Sequence, residues 1–252
     1  DTNNIAFGDY GFVDYLIDDL PVTEDATSGD PADTTRDIDR VWSTFVKFGG
    51  NDSITTGAAN DIVIGGAADD TITAGQGSNL TFGDNARLTS LPGIHPDTVY
   101  SVHEFAICYI ETWVPEWGQL TDGDDTLYGS EAGDILFGGG GNDVIFGFGG
   151  NDAIFGDDGV VKCQNGTPFD PEDPTNGDCV ALGGPLDYRA TNSFLANASG
   201  NDDLIYAGSG DDLVMGQQGR DIIYGEAGDD ILIGGSNVAH ALDDLDIIDG
   251  GS

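Results

Sequence analysis

The sequence predicts an all-β fold, a parallel β-solenoid interrupted by β-rich insertions, and three observations predict it. Asp recurs every nine residues in three separate stretches. Each of these Asp residues closes a turn rich in Gly, Asn and Asp, and a short triplet of strand-forming residues follows it. The stretches themselves return about every 75 residues, as the spacing of Gly8, Gly83, Gly156 and Gly234 marks. Short-period repeats with Gly-rich turns indicate a stacked architecture in which each rung contacts only its neighbours.

Taken in order, residues 1–9 (DTNNIAFGD) read as the end of a preceding turn, and 10–46 form an insertion. Within it, VDYLIDDL near Val13 and IDRVWSTFVKF near Ile38 predict a pair of strands, with a short helix as the alternative. The first repeat block, 47–84, carries Asp52, Asp61, Asp70 and then Asn79. Residues 85–120 are a second insertion, whose stretch TVYSVHEFAICYIETWVPEW alternates and predicts strands. The second block, 121–157, carries Asp125, Asp134, Asp143 and Asp152, reading GSEAGDILF-GGGGNDVIF-GFGGNDAIF from Gly129. A third insertion spans 158–197, and the third block, 198–235, carries Asp203, Asp212, Asp221 and Asp230. Residues 236–252 hold a short insertion and the start of a further turn around Asp246. Each block closes on a similar mark: FGDN at Phe82, FGDD at Phe155, IGGS at Ile233, with FGDY at Phe7 before them. Joined head to tail, the closing DIIDGGS and the opening DTNNIAFGD read as nearly one more turn, with a one-residue slip. The expectation is a chain cut from a longer array or continuing into a copy of itself. The insertions are expected to pack on the flank of the solenoid.

The formal net charge is −39, from 46 acidic and 7 basic residues. Neighbouring rungs of a β-structure lie about 4.8 Å apart. Two carboxylates at that spacing repel by roughly 0.9 kcal/mol even in water. A row of them in register requires counter-cations. This charge excludes nucleic acid as a partner and disfavours an anionic membrane surface. Residues are 38% hydrophobic, in strict period, which argues against disorder. No apolar stretch approaches the roughly 20 residues of a membrane span, so no membrane insertion is expected, and no N-terminal signal peptide is visible.

The turn chemistry points to calcium. Gly at turn positions admits left-handed backbone and leaves carbonyl oxygens exposed. The candidates are Gly50, Gly66, Gly123, Gly139, Gly141, Gly150, Gly208, Gly210, Gly219 and Gly228. Asp is short enough to aim its carboxylate at the same point, and calcium takes six to eight oxygens at about 2.3–2.6 Å. The candidate metal residues are therefore these glycines with Asp52, Asp61, Asp70, Asn79, Asp125, Asp134, Asp143, Asp152, Asp203, Asp212, Asp221, Asp230 and Asp246. The pattern G-G-x-G-x-D-x-U-x resembles the calcium-binding β-roll of RTX (repeats-in-toxin) proteins. The resemblance implies a parallel β-roll with two nonapeptides per coil and turns alternating between two edges. It implies an ion between turns eighteen residues apart: Asp125 with the turn of Asp143, Asp134 with that of Asp152, and at least two ions per block. Ala59 and Ala68 depart from the expected Gly, Asn79 from Asp, and Arg220 stands beside Asp221. The first block is expected to bind most weakly.

In each triplet the middle residue, such as Leu127, Leu136, Ile145 or Ile154, should point into the roll. The flanking residues then face outward as two columns, Ile135, Val144 and Ala153 in one, Tyr128, Phe137, Phe146 and Phe155 in the other, repeated as Met215, Tyr224 and Ile233. An apolar patch of that size needs a cover, either the chain's own insertions or another subunit.

Cys163 and Cys179 bracket a loop without a core of its own, and a disulfide between them is expected in an oxidising exterior. It would contribute about 3 kcal/mol. Cys108 is left over in an apolar strand. DPEDP in the same loop lacks the spacing of a helical calcium loop and reads as a solvated turn. His95, His103 and His240 are scattered, and no zinc, nucleophile or phosphate-loop motif is present, so no catalytic site is expected.

The RTX family includes toxins, proteases, lipases, adhesins and surface-layer proteins, mostly exported and folding on meeting external calcium. The expected function is an extracellular calcium-binding structural element of a bacterial surface or matrix: a segment of a fibre, adhesin or surface layer whose partner is a copy of itself, head to tail. The alternative is a non-catalytic calcium-dependent folding or binding module of a secreted enzyme or toxin. A surface polysaccharide is a further candidate partner through Trp113 and Trp117, although two Trp in a strand pair are more often core.

Overall fold

The computed structural model describes residues 4–14, 40–90, 107–112, 123–163, 186–190, 202–235 and 245–252. Among them all regular structure is strand. Two seven-stranded sheets form the walls of a roll. The first wall stacks Ile5–Phe7, Ile62–Ile64, Leu80–Phe82, Ile135–Phe137, Ala153–Phe155, Leu213–Met215 and Ile231–Ile233, all parallel. The second stacks Ser53–Thr55, Thr71–Thr73, Thr126–Ser130, Val144–Phe148, Leu204–Ser209, Ile222–Ala227 and Ile247–Asp249, also parallel. Consecutive nonapeptides alternate between the walls, so two make one coil.

The middle residues of the triplets fill the interior, as the alternation of strand side chains requires. Val63, Leu136, Ile154 and Val214 of the first wall meet Ile72, Leu127, Ile145, Ile205 and Ile223 of the second in one buried cluster. Each such side chain contributes roughly 1.5–3 kcal/mol on burial.

The three blocks are consecutive rungs of one roll. Leu80 pairs with Ile135 and Thr71 with Thr126, so the second insertion leaves the register intact. Across the third, Val144 pairs with Leu204 and Ala153 with Leu213. The Gly-Asp mark therefore does not end a block. It opens a nonapeptide turn that the insertion splits: the chain leaves after Gly8-Asp9, Gly83-Asp84 and Gly156-Asp157 and returns at Asp52, Asp125 and Asp203. All three split turns run from the first wall to the second.

Each long insertion contributes a hairpin. Gly11–Asp14 pairs with Arg40–Ser43, Ala86–Ser90 with Ile107–Thr112, and Gly159–Cys163 with Leu186–Ala190, all antiparallel. The hairpins pair with one another into a six-stranded sheet. Val41, Leu88, Ile110 and Val161 of that sheet pack on Ile64, Phe82, Ile135, Phe137 and Phe155 of the first wall. The expected flank packing is present.

The outer aromatics correct the expected single column. Because neighbouring nonapeptides lie on opposite walls, Tyr128, Phe137, Phe146 and Phe155 split into two ladders. Phe82, Phe137 and Phe155 stack at 4.8 and 4.5 Å, buried beneath the hairpins. Tyr128, Phe146, Tyr206 and Tyr224 stack at 5.1, 5.2 and 5.0 Å on the second wall, half-buried. Ile135 and Ala153 likewise part from Val144. Cys179, the expected disulfide partner of Cys163, lies outside the described residues, as do the DPEDP loop, His95, His103, His240, Trp113 and Trp117.

Candidate metal centres

Every turn of the roll ends on the sixth residue of its nonapeptide, and these residues form two rows. The row leading into the second wall is Asp52, Asp70, Asp125, Asp143, Asp203, Asp221 and Asp246. Each backbone amide donates to Oδ1 of the next carboxylate at 2.7–3.0 Å. The other row, Asp61, Asn79, Asp134, Asp152, Asp212 and Asp230, makes the same bonds at 2.6–3.1 Å. The partners anticipated eighteen residues apart, Asp125 with Asp143 and Asp134 with Asp152, are brought together. Equivalent contacts bridge the insertions, from Asp70 to Asp125 and from Asp152 to Asp212.

One oxygen of each carboxylate after Asp52 is thus spent on the backbone, that of Asp61 on the Asn4 amide. The other, Oδ2, is buried without a hydrogen bond at Asp61, Asp70, Asp125, Asp134, Asp152, Asp203, Asp212 and Asp230. A buried charged oxygen left without a partner is costly. These atoms face a shared feature. A Cβ built on Gly129, the first residue of its nonapeptide, would lie 2.8 Å from Asp134 Oδ2 and 2.8 Å from the carbonyl oxygen of Gly147, one rung on. At Gly65 and Gly147 it would lie 2.5 Å from Asp70 Oδ2 and Asp152 Oδ2. The split turns keep the arrangement: Gly83 faces Asp125 Oδ2 and the Gly138 carbonyl, and Gly156 faces Asp203 Oδ2 and the Gly216 carbonyl. Each cradle is lined by a carboxylate and a carbonyl oxygen, the donor types that calcium takes. Among the described residues no three Asp, Glu, His or Cys side chains converge on one point. The remaining donors must come from backbone carbonyls, which is what Gly-rich turns expose.

Without a cation the same burial favours the protonated acids. It pushes Asp134 up to about 6, Asp70 to about 7 and Asp152 to about 8. Asp125 reaches about 9 through burial and then the charge of Asp143. Asp203 is raised well above the carboxylate range by burial, with Asp143 and Asp157 adding to it.

The two rows are unequal. In the first, every nonapeptide begins with Gly: Gly8, Gly65, Gly83, Gly138, Gly156, Gly216 and Gly234. In the second, Thr56, Ala74 and Ala207 precede Asp61, Asn79 and Asp212 at that place, and their Cβ atoms take up the space that is open beside Gly129, Gly147 and Gly225. Asn79 is the further exception, because its amide is oriented by its neighbours. Its Oδ1 accepts from the Asp61 amide at 3.0 Å, so Nδ2 is turned inward. That nitrogen donates to the carbonyls of Gly77 at 2.7 Å and Ala74 at 3.3 Å. An N–H group stands where the other turns present a carboxylate Oδ2.

The left-handed backbone falls on the second and fourth turn positions. Gly66, Gly139, Gly141, Gly150, Gly208, Gly210, Gly219 and Gly228 all have positive φ. Gly50 and Gly123, also expected there, do not, because at the split turns the chain re-enters from a hairpin. Ala68, Phe148, Gln217 and Glu226 adopt positive φ without being Gly. Sequence reasoning missed the first-position glycines and the Asp of the Gly-Asp marks. Both were visible in the sequence, as Gly at most first positions and Asp in three of the four marks.

A parallel roll with two rows of oxygen-lined cradles defines a calcium-binding repeat protein. The sequence profile of the RTX calcium-binding nonapeptide repeat matches at residues 48–80, 119–144, 128–160 and 206–238. Four copies of this repeat therefore lie in the chain, and calcium is the cation such repeats bind. These repeats are typical of secreted bacterial proteins. No curated protein and no solved structure matches the chain significantly.

Proposed function

We propose that calcium ions occupy the cradles, one between each successive pair of turns along a row, and stiffen the roll into an extracellular structural rod. The ligands are Oδ2 of Asp52, Asp70, Asp125, Asp143, Asp203, Asp221 and Asp246 in the first row. In the second they come from Asp134, Asp152 and Asp230, and in both rows carbonyls of the adjoining turns complete the shell. The turns closed by Asp61, Asn79 and Asp212 bind weakly or not at all. When bound, calcium neutralises the rows and supplies the free energy that an acidic, Gly-rich chain lacks.

The observation that carries the structural reading is the unbroken register through three insertions. Rungs repeat along one axis by a contact that does not close on itself, which is the geometry of an open filament. The chain is therefore read as a segment of a fibre, adhesin or surface layer, with a further copy as its head-to-tail partner. Negative-stain electron microscopy in millimolar calcium, with a chelated control, tests this. Filaments that disperse on chelation support it. Discrete particles in calcium contradict self-assembly and make the chain a calcium-dependent module of a secreted protein.

A further inference from the structure

Outside both rows stand Asp9, Asp84 and Asp157, the second residues of the split turns. Each accepts a hydrogen bond through Oδ2 from the third residue of the next turn in the row, at 2.7 Å in every case: from the amides of Ala67, Gly140 and Gln218. Asp9 also accepts from the Gly50 amide at 3.3 Å, joining the two sides of its own split turn across 41 residues. At unsplit turns of the same row the second residue is Gly66, Gly139 or Gln217, each with positive φ. At those turns the continuing chain holds the loop together. At the split turns the chain departs instead, and the first hairpin strand begins at once, at Gly11, Ala86 and Gly159. The fourth split turn, with Gly235 at this place, has only a short insertion before Asp246. Asp thus stands where a long hairpin leaves the roll.

We propose that Asp9, Asp84 and Asp157 are positioning residues that close the split turns into working calcium sites, and so tie ion binding to docking of the hairpins on the first wall. This rests on the calcium assignment above. Asp84 fixes the departing strand against Gly140, which holds Gly83 opposite Asp125 Oδ2 and the Gly138 carbonyl. Without that bond the Gly83 half of the turn keeps its ladder bond to Phe137 but loses its tie to the next turn, so the turn interrupted by the 85–120 insertion is held less closely. Because coupling is reciprocal, an ion in the Gly83–Asp125 cradle tightens the root of the Ala86–Ser90 hairpin as the hairpin root favours the ion.

The test compares the full chain with Asp84→Ala and Asp84→Asn by calcium titration calorimetry, and by amide exchange of residues 86–90 and 107–112. Asn keeps an oxygen acceptor for the Gly140 amide. Asp84→Ala is expected to weaken a subset of sites about tenfold and to speed exchange in this hairpin at limiting calcium. Saturating calcium should reverse the exchange, and Asp84→Asn should restore both readouts. Unchanged affinity and count in Asp84→Ala overturns the proposal, as does hairpin exchange that saturating calcium does not reverse. Should Asp84→Ala not fold, Asp157→Ala gives the same comparison at 159–163. An unaltered chain that binds no calcium would instead refute the calcium assignment itself.

Discussion

The amide of Asp70 donates to Oδ1 of Asp125 at 2.7 Å, although 55 residues separate them. The amide of Asp125 makes the same bond to Asp143 at 2.8 Å, only 18 residues on. The two bonds are interchangeable in the roll, so the insertion between Asp70 and Asp125 is invisible to the cradle row. A nonapeptide can be opened, filled with a hairpin and closed again without loss of register, because the ladder bonds on either side fix both halves.

The blocked turn at Asn79 yields a gain-of-site prediction. Asn79→Asp together with Ala74→Gly removes the inward amide and clears the cradle. Calorimetry should then show one more bound calcium per chain. Asn79→Asp alone should destabilise the chelated protein, since it sets a buried carboxylate against the carbonyls of Gly77 and Ala74. An unchanged ion count in the double variant would place the cation elsewhere.

Stability should fall with rising pH without calcium and be nearly independent of pH with it. In chelator the raised carboxyls hold protons more readily folded than unfolded, where the ordinary value is near 4. Their contribution is therefore complete below about pH 4, and it is lost as pH rises through the values of about 6, 7, 8 and 9 at Asp134, Asp70, Asp152 and Asp125. The chelated melting temperature is expected to fall from pH 5 to pH 9. In saturating calcium it should stay nearly level over the same range, because neither the ion-bound folded chain nor the unfolded chain then holds those protons. Thermal melts in the two buffers decide it.

Phe137 and Tyr206 occupy equivalent triplet positions on opposite walls. Phe137 is fully buried under the hairpins, whereas Tyr206 is only half-buried. Phe137→Ala should cost about 3–5 kcal/mol, in the usual range for a core aromatic. Tyr206→Ala should cost clearly less. Equal losses in denaturant titration would mean that both walls are covered.

Thr81 sits at a middle, inward position, with its hydroxyl buried and unbonded. Thr81→Val keeps the shape and removes the stranded polar group. A gain of about 1 kcal/mol is expected from denaturant midpoints. No gain would indicate a water or partner at that hydroxyl.

Much of this was legible in the sequence, for a physical reason. The nine-residue beat sets both the strand alternation and the Asp rows, so the interior column of Leu127, Leu136, Ile145 and Ile154 could be named from pattern alone. The wall assignment of Phe137 and Phe146 was not, because neighbouring triplets look alike and only the coil count separates them. The split turns were hidden because Gly83-Asp84 resembles the end of a repeat until Asp125 is seen to complete it. The orientation of the Asn79 amide was hidden as well. Which end faces the carbonyls is decided by the Asp61 amide, which only the fold supplies.

The most direct measurement is a crystal structure grown in calcium, with anomalous differences collected at a wavelength where calcium scatters. Peaks are expected along the first row, including beside Gly83 and Asp125 where the chain is interrupted, and none at the Ala74–Asn79 turn. Peaks absent from the Gly83–Asp125 cradle, or present at Asn79, would contradict the continuous row of calcium sites on which the function proposed for this chain depends.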